Sequence, residues 1–210
     1  MKNIDLNDIK VIIFDYDWTL YNGKIFGVWE KYVDNGFTKI FQNIHNITKS
    51  EFIKKYDLTN HLMSEYIVKA FIQEFGSAKM WIDYLKNNVY DIYSDSLTYL
   101  DNQTLHKYAD ICPLYVVSNS QVNTIKYQMN IAKVDQTVFK GIYSNDFDNQ
   151  DLTKVPEFMK IIQMEHIKPE ELLVFGDSIQ NDIDTAKSIG AKAIYAPKLQ
   201  IIKDFINKKG

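Results

Sequence analysis

Arginine is absent from this chain: all 24 of its basic residues are lysine. Any phosphate held here must therefore be gripped by lysine, backbone N–H groups or amides, because no guanidinium fork exists. Cysteine is nearly absent too. The single Cys112 excludes an internal disulfide and fits a reducing cytosol. Beside Pro113 and ahead of an apolar run, it reads as core filling. With only 4 prolines and 8 glycines, no Gly/Pro-rich linker, repeat or low-complexity tract divides the chain. No apolar run approaches the roughly 18–20 residues that cross a bilayer, and the opening MKNIDLNDIK lacks the apolar segment of a secretory signal. The four histidines, His45, His61, His106 and His166, are scattered without ligand spacing and read as surface or structural residues. A net charge of −3 offers no basic face for nucleic acid. The expectation is a cytoplasmic protein, monomer or homodimer, with no membrane or nucleic-acid partner.

What is present suits a globular protein. The chain has 210 residues, 46% of them apolar and 14% aromatic, enough for one core, or one core with a smaller inserted domain. Short apolar runs that read as buried strands occur at 11–15 (VIIFD), 114–118 (LYVVS), 141–144 (GIYS), 172–176 (LLVFG) and 192–196 (KAIYA). From residue 121 they alternate with helical segments at 121–131, 154–165, 181–189 and 199–207. The helix at 181–189 is expected to be capped by Asn181 or Asp182 and stopped at Gly190. Such alternation predicts an α/β fold: a doubly wound parallel sheet with helices on both faces.

Between the first two strands, residues 24–93 carry helical spacing almost throughout, as in SEYIVKAFIQEF. That is too long for one crossover and reads as an inserted all-helical domain. The expected division is a core of residues 1–21 and 96–210 with an insertion of 22–95. Phe26, Trp29 and Trp81 lie at helical spacing in the insertion and read as core packing.

Open parallel sheets bind ligands at the carboxyl ends of their strands, so the residues after each apolar run are site candidates. Asp15-Tyr16-Asp17-Trp18-Thr19 follows the first, Ser118-Asn119-Ser120 the second, and Gly176-Asp177-Ser178, then Asn181-Asp182, the fourth; Lys154 opens the helix after the third. With these four motifs in order, the chain resembles the haloacid dehalogenase (HAD) superfamily of phosphatases over residues 9–20 and about 97–200. The resemblance implies a Rossmann-like core whose helical insertion is a cap.

The resemblance also implies roles. Asp15 would be the nucleophile that accepts the phosphoryl group, a known use of a carboxylate. Asp17 would protonate the leaving alcohol and then deprotonate water. Asp15, the backbone carbonyl of Asp17, and Asp177 would coordinate Mg²⁺, with Asp182 in support. Thr19, Ser118, the N–H of Asn119 and Lys154 would orient the turn and hold phosphate. The physics agrees: two carboxylates about 4 Å apart repel by roughly 4 kcal/mol at an effective dielectric near 20, and a hard cation among oxygen-only ligands relieves this.

Asp17 favours phosphoryl transfer over carbon–halogen cleavage, because the dehalogenase branch lacks a carboxylate at this position. Two departures stand out. Trp18 occupies a position where the family most often has Gly. The third motif, TKVPEF, lacks a proline directly after the lysine, which leaves Lys140 as the fallback for Lys154. The implied function is a Mg²⁺-dependent phosphatase acting on a small phosphorylated metabolite through a phospho-aspartate. The alternatives are a phosphomutase of the β-phosphoglucomutase type and a catalytically inert binding protein of the same fold.

Overall fold

The computed structural model describes residues 4–23, 26–91, 97–144 and 153–207. Its elements are β1 (Val11–Phe14), β2 (Tyr21–Asn22), α1 (Phe26–Phe41), α2 (Lys49–Lys55), α3 (Ser64–Phe75), α4 (Lys79–Asn87), β3 (Thr98–Tyr99), α5 (Asn102–Ala109), β4 (Leu114–Ser118), α6 (Val122–Ile131), β5 (Phe139–Ser144), α7 (Val155–Met164), β6 (Leu172–Gly176), α8 (Thr185–Ser188), β7 (Lys192–Tyr195) and α9 (Leu199–Asn207). Residues 26–91 form one compact unit, and the other described residues form a second. The boundary expected at 95/96 lies outside the described residues. No described helix is long and apolar enough to cross a membrane.

The second unit is an α/β fold of the Rossmann-like kind. Its five strands are all parallel, in the order β5-β4-β1-β6-β7. Central β1 and β6 are buried at every residue, which is why VIIF and LLVF read as unbroken apolar runs rather than alternating ones. Side chains still alternate between faces. Val11 and Ile13 join Phe158 and Ile161 of α7 and Ala186 of α8 in one core layer. On the other face Phe14 stacks on Phe175 at 5.2 Å, while Tyr108 of α5 and Phe205 of α9 meet the pair edge-on at 5.6 Å each. Each fully buried side chain of this size contributes roughly 1.5–3 kcal/mol relative to exposure.

Four features differ from the sequence expectation. Strand β5 begins at Phe139, two residues early. The short antiparallel pair β2–β3 and helix α5, capped by Asp101 Oδ1 accepting from the Thr104 N–H at 2.8 Å, carried no expectation. The helix expected at 181–189 starts instead as a wide turn, Ile179–Asp184, in which the Ile183 N–H reaches back to Ser178 O at 3.2 Å. Its cap is Ser178, whose Oγ accepts from the Asn181 N–H at 3.1 Å. Neither Asn181 nor Asp182 caps it, because the Asp182 carboxylate is committed elsewhere. The stop is at Gly190, which adopts φ 86°, a left-handed value favourable to glycine.

In the unit of residues 26–91, Phe37, Phe41, Phe52, Phe71 and Trp81 are buried together, with Phe52 and Phe71 centroids 4.9 Å apart. Trp81 is thus core. Half-buried Trp29 donates its indole N–H to Leu62 O at 2.5 Å and packs on Tyr32 and Tyr90. The side chain of Phe26 lies outside the described residues.

Gly176 closes β6 where the backbone runs against Asp182. A Cβ there would lie 2.3 Å from Asp182 Cβ, an atom with no freedom to retreat. Gly176→Ala is expected to cost about 1–3 kcal/mol of folding stability through overpacking, measured by denaturant titration against wild type.

Candidate active site

The chain runs from β1 outward through β4 to β5, then crosses back to β6 and β7 on the other side of β1. The direction reverses between β1 and β6, and ligands bind in open α/β sheets at the carboxyl ends beside such a reversal. Asp15 prolongs β1 by one residue: its N–H donates to Phe175 O at 2.9 Å. That bond seats its carboxylate next to Gly176 and Asp177, at the end of the neighbouring strand.

Three donors organise the buried part of the site. Lys154 Nζ donates to Asp15 Oδ1 and to Asp182 Oδ1, each at 2.6 Å, and Thr19 Oγ1 donates to Asp15 Oδ2 at 3.0 Å. Asp182 Oδ2 accepts the Ser178 N–H at 3.0 Å. Lys154, Asp15 and Asp182 are almost fully buried, with 3%, 5% and 1% exposure. Lys140 lies elsewhere, on the sheet's edge strand β5, paired at 2.7 Å with Glu165 just past the end of α7. Proline does follow Lys154, at position 156 near the start of α7, where its missing N–H costs the helix nothing.

Carboxylate oxygens of Asp15, Asp177 and Asp182 lie within 4.8 Å of one another. Burial pushes Asp177 up to about 6, with Asp182 and Asp17 adding to the rise and Lys154 opposing it. Burial also holds Asp15 well above the usual carboxylate range; Lys154 pulls it down, and Asp182 and Asp17 push it up. Burial alone would depress the Lys154 ammonium, but Asp15 and Asp182 outweigh it and leave Lys154 above its ordinary value. Three carboxylates, those of Asp15, Asp177 and Asp182, thus gather around one ammonium, a deficit of positive charge that a divalent cation would fill. The donors are all oxygen, and no sulfur or imidazole joins them among the described residues, so the set fits Mg²⁺.

The Asp17 side chain stands apart from that cluster. Its Oδ2 accepts from Ser118 Oγ at 3.0 Å and Ser120 Oγ at 2.7 Å, and its Oδ1 accepts from the Tyr21 hydroxyl at 2.7 Å. Ser118, expected on phosphate, is therefore turned to Asp17, and it also accepts the Ser120 N–H at 3.0 Å. Asn119 sits half-buried between the two serines. Trp18, half-buried, takes φ 60°, a left-handed backbone that costs a non-glycine residue on the order of 1–3 kcal/mol. Its ring leans toward Tyr21, centroids 6.2 Å apart.

Ser120 and Tyr21 carried no role in the sequence reading. Tyr21 stands four residues beyond Asp17, with no apolar or charge pattern in the sequence to flag it. Ser120 could have been found: it belongs to the same strand-end triplet as Ser118.

A family model described as haloacid dehalogenase-like hydrolase matches residues 9–190. No curated protein matches the chain at a significant level. Among solved structures, YfnB from Bacillus subtilis, assigned to the HAD hydrolases and solved with magnesium bound, is similar with a TM-score of 0.56 and 17% identity, over 95% of this chain and 99% of that one. A HAD phosphatase from Thermococcus onnurineus gives 0.55 and 19% identity, over 89% and 86%. A 2-haloacid dehalogenase from Pseudomonas syringae gives 0.54 and 14%, over 96% and 100%. At these identities the neighbours speak for the fold, whereas the family match spans most of the chain: this protein belongs to the haloacid dehalogenase-like hydrolases.

Proposed function

We propose that the protein is a Mg²⁺-dependent phosphatase that hydrolyses a small phosphorylated metabolite through a phospho-aspartate. The observation that carries this reading is the contrast between two carboxylates two residues apart. Asp15 is buried against Lys154 and Thr19, while Asp17 is half-buried among three hydroxyl donors. Two carboxylates in unlike surroundings can take unlike tasks. The fold neighbours include a phosphatase and a dehalogenase, and the second carboxylate favours the phosphatase chemistry.

Asp15, ionised, attacks phosphorus; an Asp15–phosphorus bond forms as the ester P–O bond breaks, and Asp17 gives its proton to the departing oxygen. In the second half Asp17 takes a proton from water. The water oxygen bonds phosphorus as the Asp15–phosphorus bond breaks, releasing inorganic phosphate. Lys154 keeps Asp15 oriented and offsets phosphate charge. Thr19 holds the other Asp15 oxygen. Ser118 and the Asn119 N–H would turn to the phosphate oxygens once substrate is present.

Asp15, Asp177 and the Asp17 carbonyl would hold the metal, with Asp182 beside them. A bound Mg²⁺ supplies charge neutralisation on the transferring phosphoryl group. The magnesium of the Bacillus subtilis neighbour supports this part of the reading. The helical unit of residues 26–91 takes the part of the cap that the resemblance implies.

A panel of phosphate esters with Mg²⁺, run beside an EDTA-treated sample, tests the reading: metal-dependent release of inorganic phosphate supports it, and inertness across the panel defeats it. Asp15→Asn is expected to lower kcat by at least about a thousandfold with a cooperative folding transition retained, as followed by phosphate release and circular dichroism. A third expectation concerns pH. Asp177 has its native value raised from 3.8 to about 6, so its contribution favours the metal-free fold below 3.8 and is lost as pH rises through about 6. Asp177→Asn should therefore be more stable than wild type in EDTA at pH 7, and the difference should vanish near pH 4. Mg²⁺ should raise the Tm of wild type at pH 7 and leave that of the variant nearly unchanged. Scanning calorimetry of both proteins at the two pH values, with and without metal, measures all of this.

A further inference from the structure

The phosphatase reading gives Asp17 a proton to carry, and something must aim the carboxyl group that carries it. Of its two oxygens, Oδ2 already accepts two hydroxyls, from Ser118 and Ser120. Oδ1 accepts, among the described residues, from Tyr21 alone. A carboxylate offers about four acceptor sites, two on each oxygen. Oδ1 is therefore the oxygen with a lone pair to spare, and Tyr21 is the group that fixes where it lies.

Tyr21 is itself held firmly. It is fully buried, its ring packs edge-on against Tyr16 at 5.1 Å and lies tilted against Tyr99 at 5.4 Å, and its backbone is paired to Tyr99 across β2–β3. Tyr16 is anchored in turn by donating to Gln128 Oε1 at 2.9 Å. A tyrosine has only two side-chain torsions, so a ring held in this way leaves its hydroxyl little freedom. Phenylalanine would fill the same space without the cost of burying an O–H group. The hydroxyl donates to the carboxylate that the phosphatase reading makes the proton carrier.

We propose that Tyr21 is a positioning residue for Asp17, its hydroxyl holding Oδ1 so that this oxygen carries the transferred proton. The inference rests on the phosphatase reading. In the first step the proton leaves Asp17 Oδ1 for the ester oxygen as the P–O bond breaks; in the second a water proton returns to Oδ1. Tyr21 keeps its own proton throughout, and its bond to Oδ1 is compatible with both states, since a protonated carboxyl oxygen still accepts.

The test compares two esters with different need of a proton. A simple alkyl phosphate must have its leaving oxygen protonated, whereas p-nitrophenyl phosphate releases a phenolate stable without one. Tyr21→Phe is expected to lower kcat for the alkyl ester by about 10–100-fold, within the range of general acid catalysis, to change kcat for p-nitrophenyl phosphate by less than about threefold, and to leave KM for both nearly constant. In an Asp17→Asn background the same substitution should have no further effect on the alkyl ester. Equal losses on both esters, no loss on either, or a change confined to KM would overturn the proposal. So would loss of the folding transition in Tyr21→Phe, which would make the hydroxyl structural, or a full further effect in the Asp17→Asn background. Wild-type protein inert toward both esters with Mg²⁺ would instead defeat the phosphatase reading, and this inference with it.

Discussion

The site depends on one buried ammonium. Lys154 Nζ ties the carboxylate that ends β1 to the one in the wide turn after β6, at 2.6 Å each. Taking three charges out of water is expensive, and a buried ion pair rarely repays its desolvation by Coulomb attraction alone. Here the burial has a structural effect: removing the lysine would leave Asp15 and Asp182 facing one another with no counter-charge. The same lysine begins α7, whose Phe158 and Ile161 seal one face of the sheet, so the electrostatic clasp and the hydrophobic layer are set by a single helix.

The turn at Ile179–Asp184 follows from this clasp. A regular helical start capped at Asn181 or Asp182 would need a side chain to bend back on its own backbone. Asp182 instead reaches Lys154 and accepts the Ser178 N–H. Gly176 must lack a Cβ for that approach. The extra width of the turn, with its i→i+5 bond, is the local form that lets one residue serve the lysine and the backbone together.

Much of this is legible in the sequence. Unbroken apolar runs mark strands buried on both faces, and VIIF, LYVVS and LLVFG fall where β1, β4 and β6 lie. Chemistry-bearing residues follow those runs because a parallel sheet delivers every strand end to one edge. What escaped notice has a physical reason in each case. β2 and β3 are two residues long, too short for any periodicity. Helix α5 is announced by a cap, Asp101, rather than by a strong apolar stripe. Ser118 turns to Asp17, a choice between two acceptors that spacing cannot express. Tyr21 looked like one aromatic among many, since a hydroxyl's partner depends on which loops meet. The left-handed Trp18 shows the converse: its position was marked as unusual by its departure from glycine, and the backbone there retains the glycine-like shape with an indole in place.

The pairing of Tyr21 with Tyr99 and of Asn22 with Thr98 places two points in the chain, some seventy-five residues apart, side by side on neighbouring strands. Whatever intervenes has its two ends fastened together, so lengthening, trimming or replacing it adds only a slowly growing, logarithmic entropy of loop closure. The junction therefore works as a socket. Evolution could exchange the segment between the two strands while the acidic edge of the sheet stayed as it was.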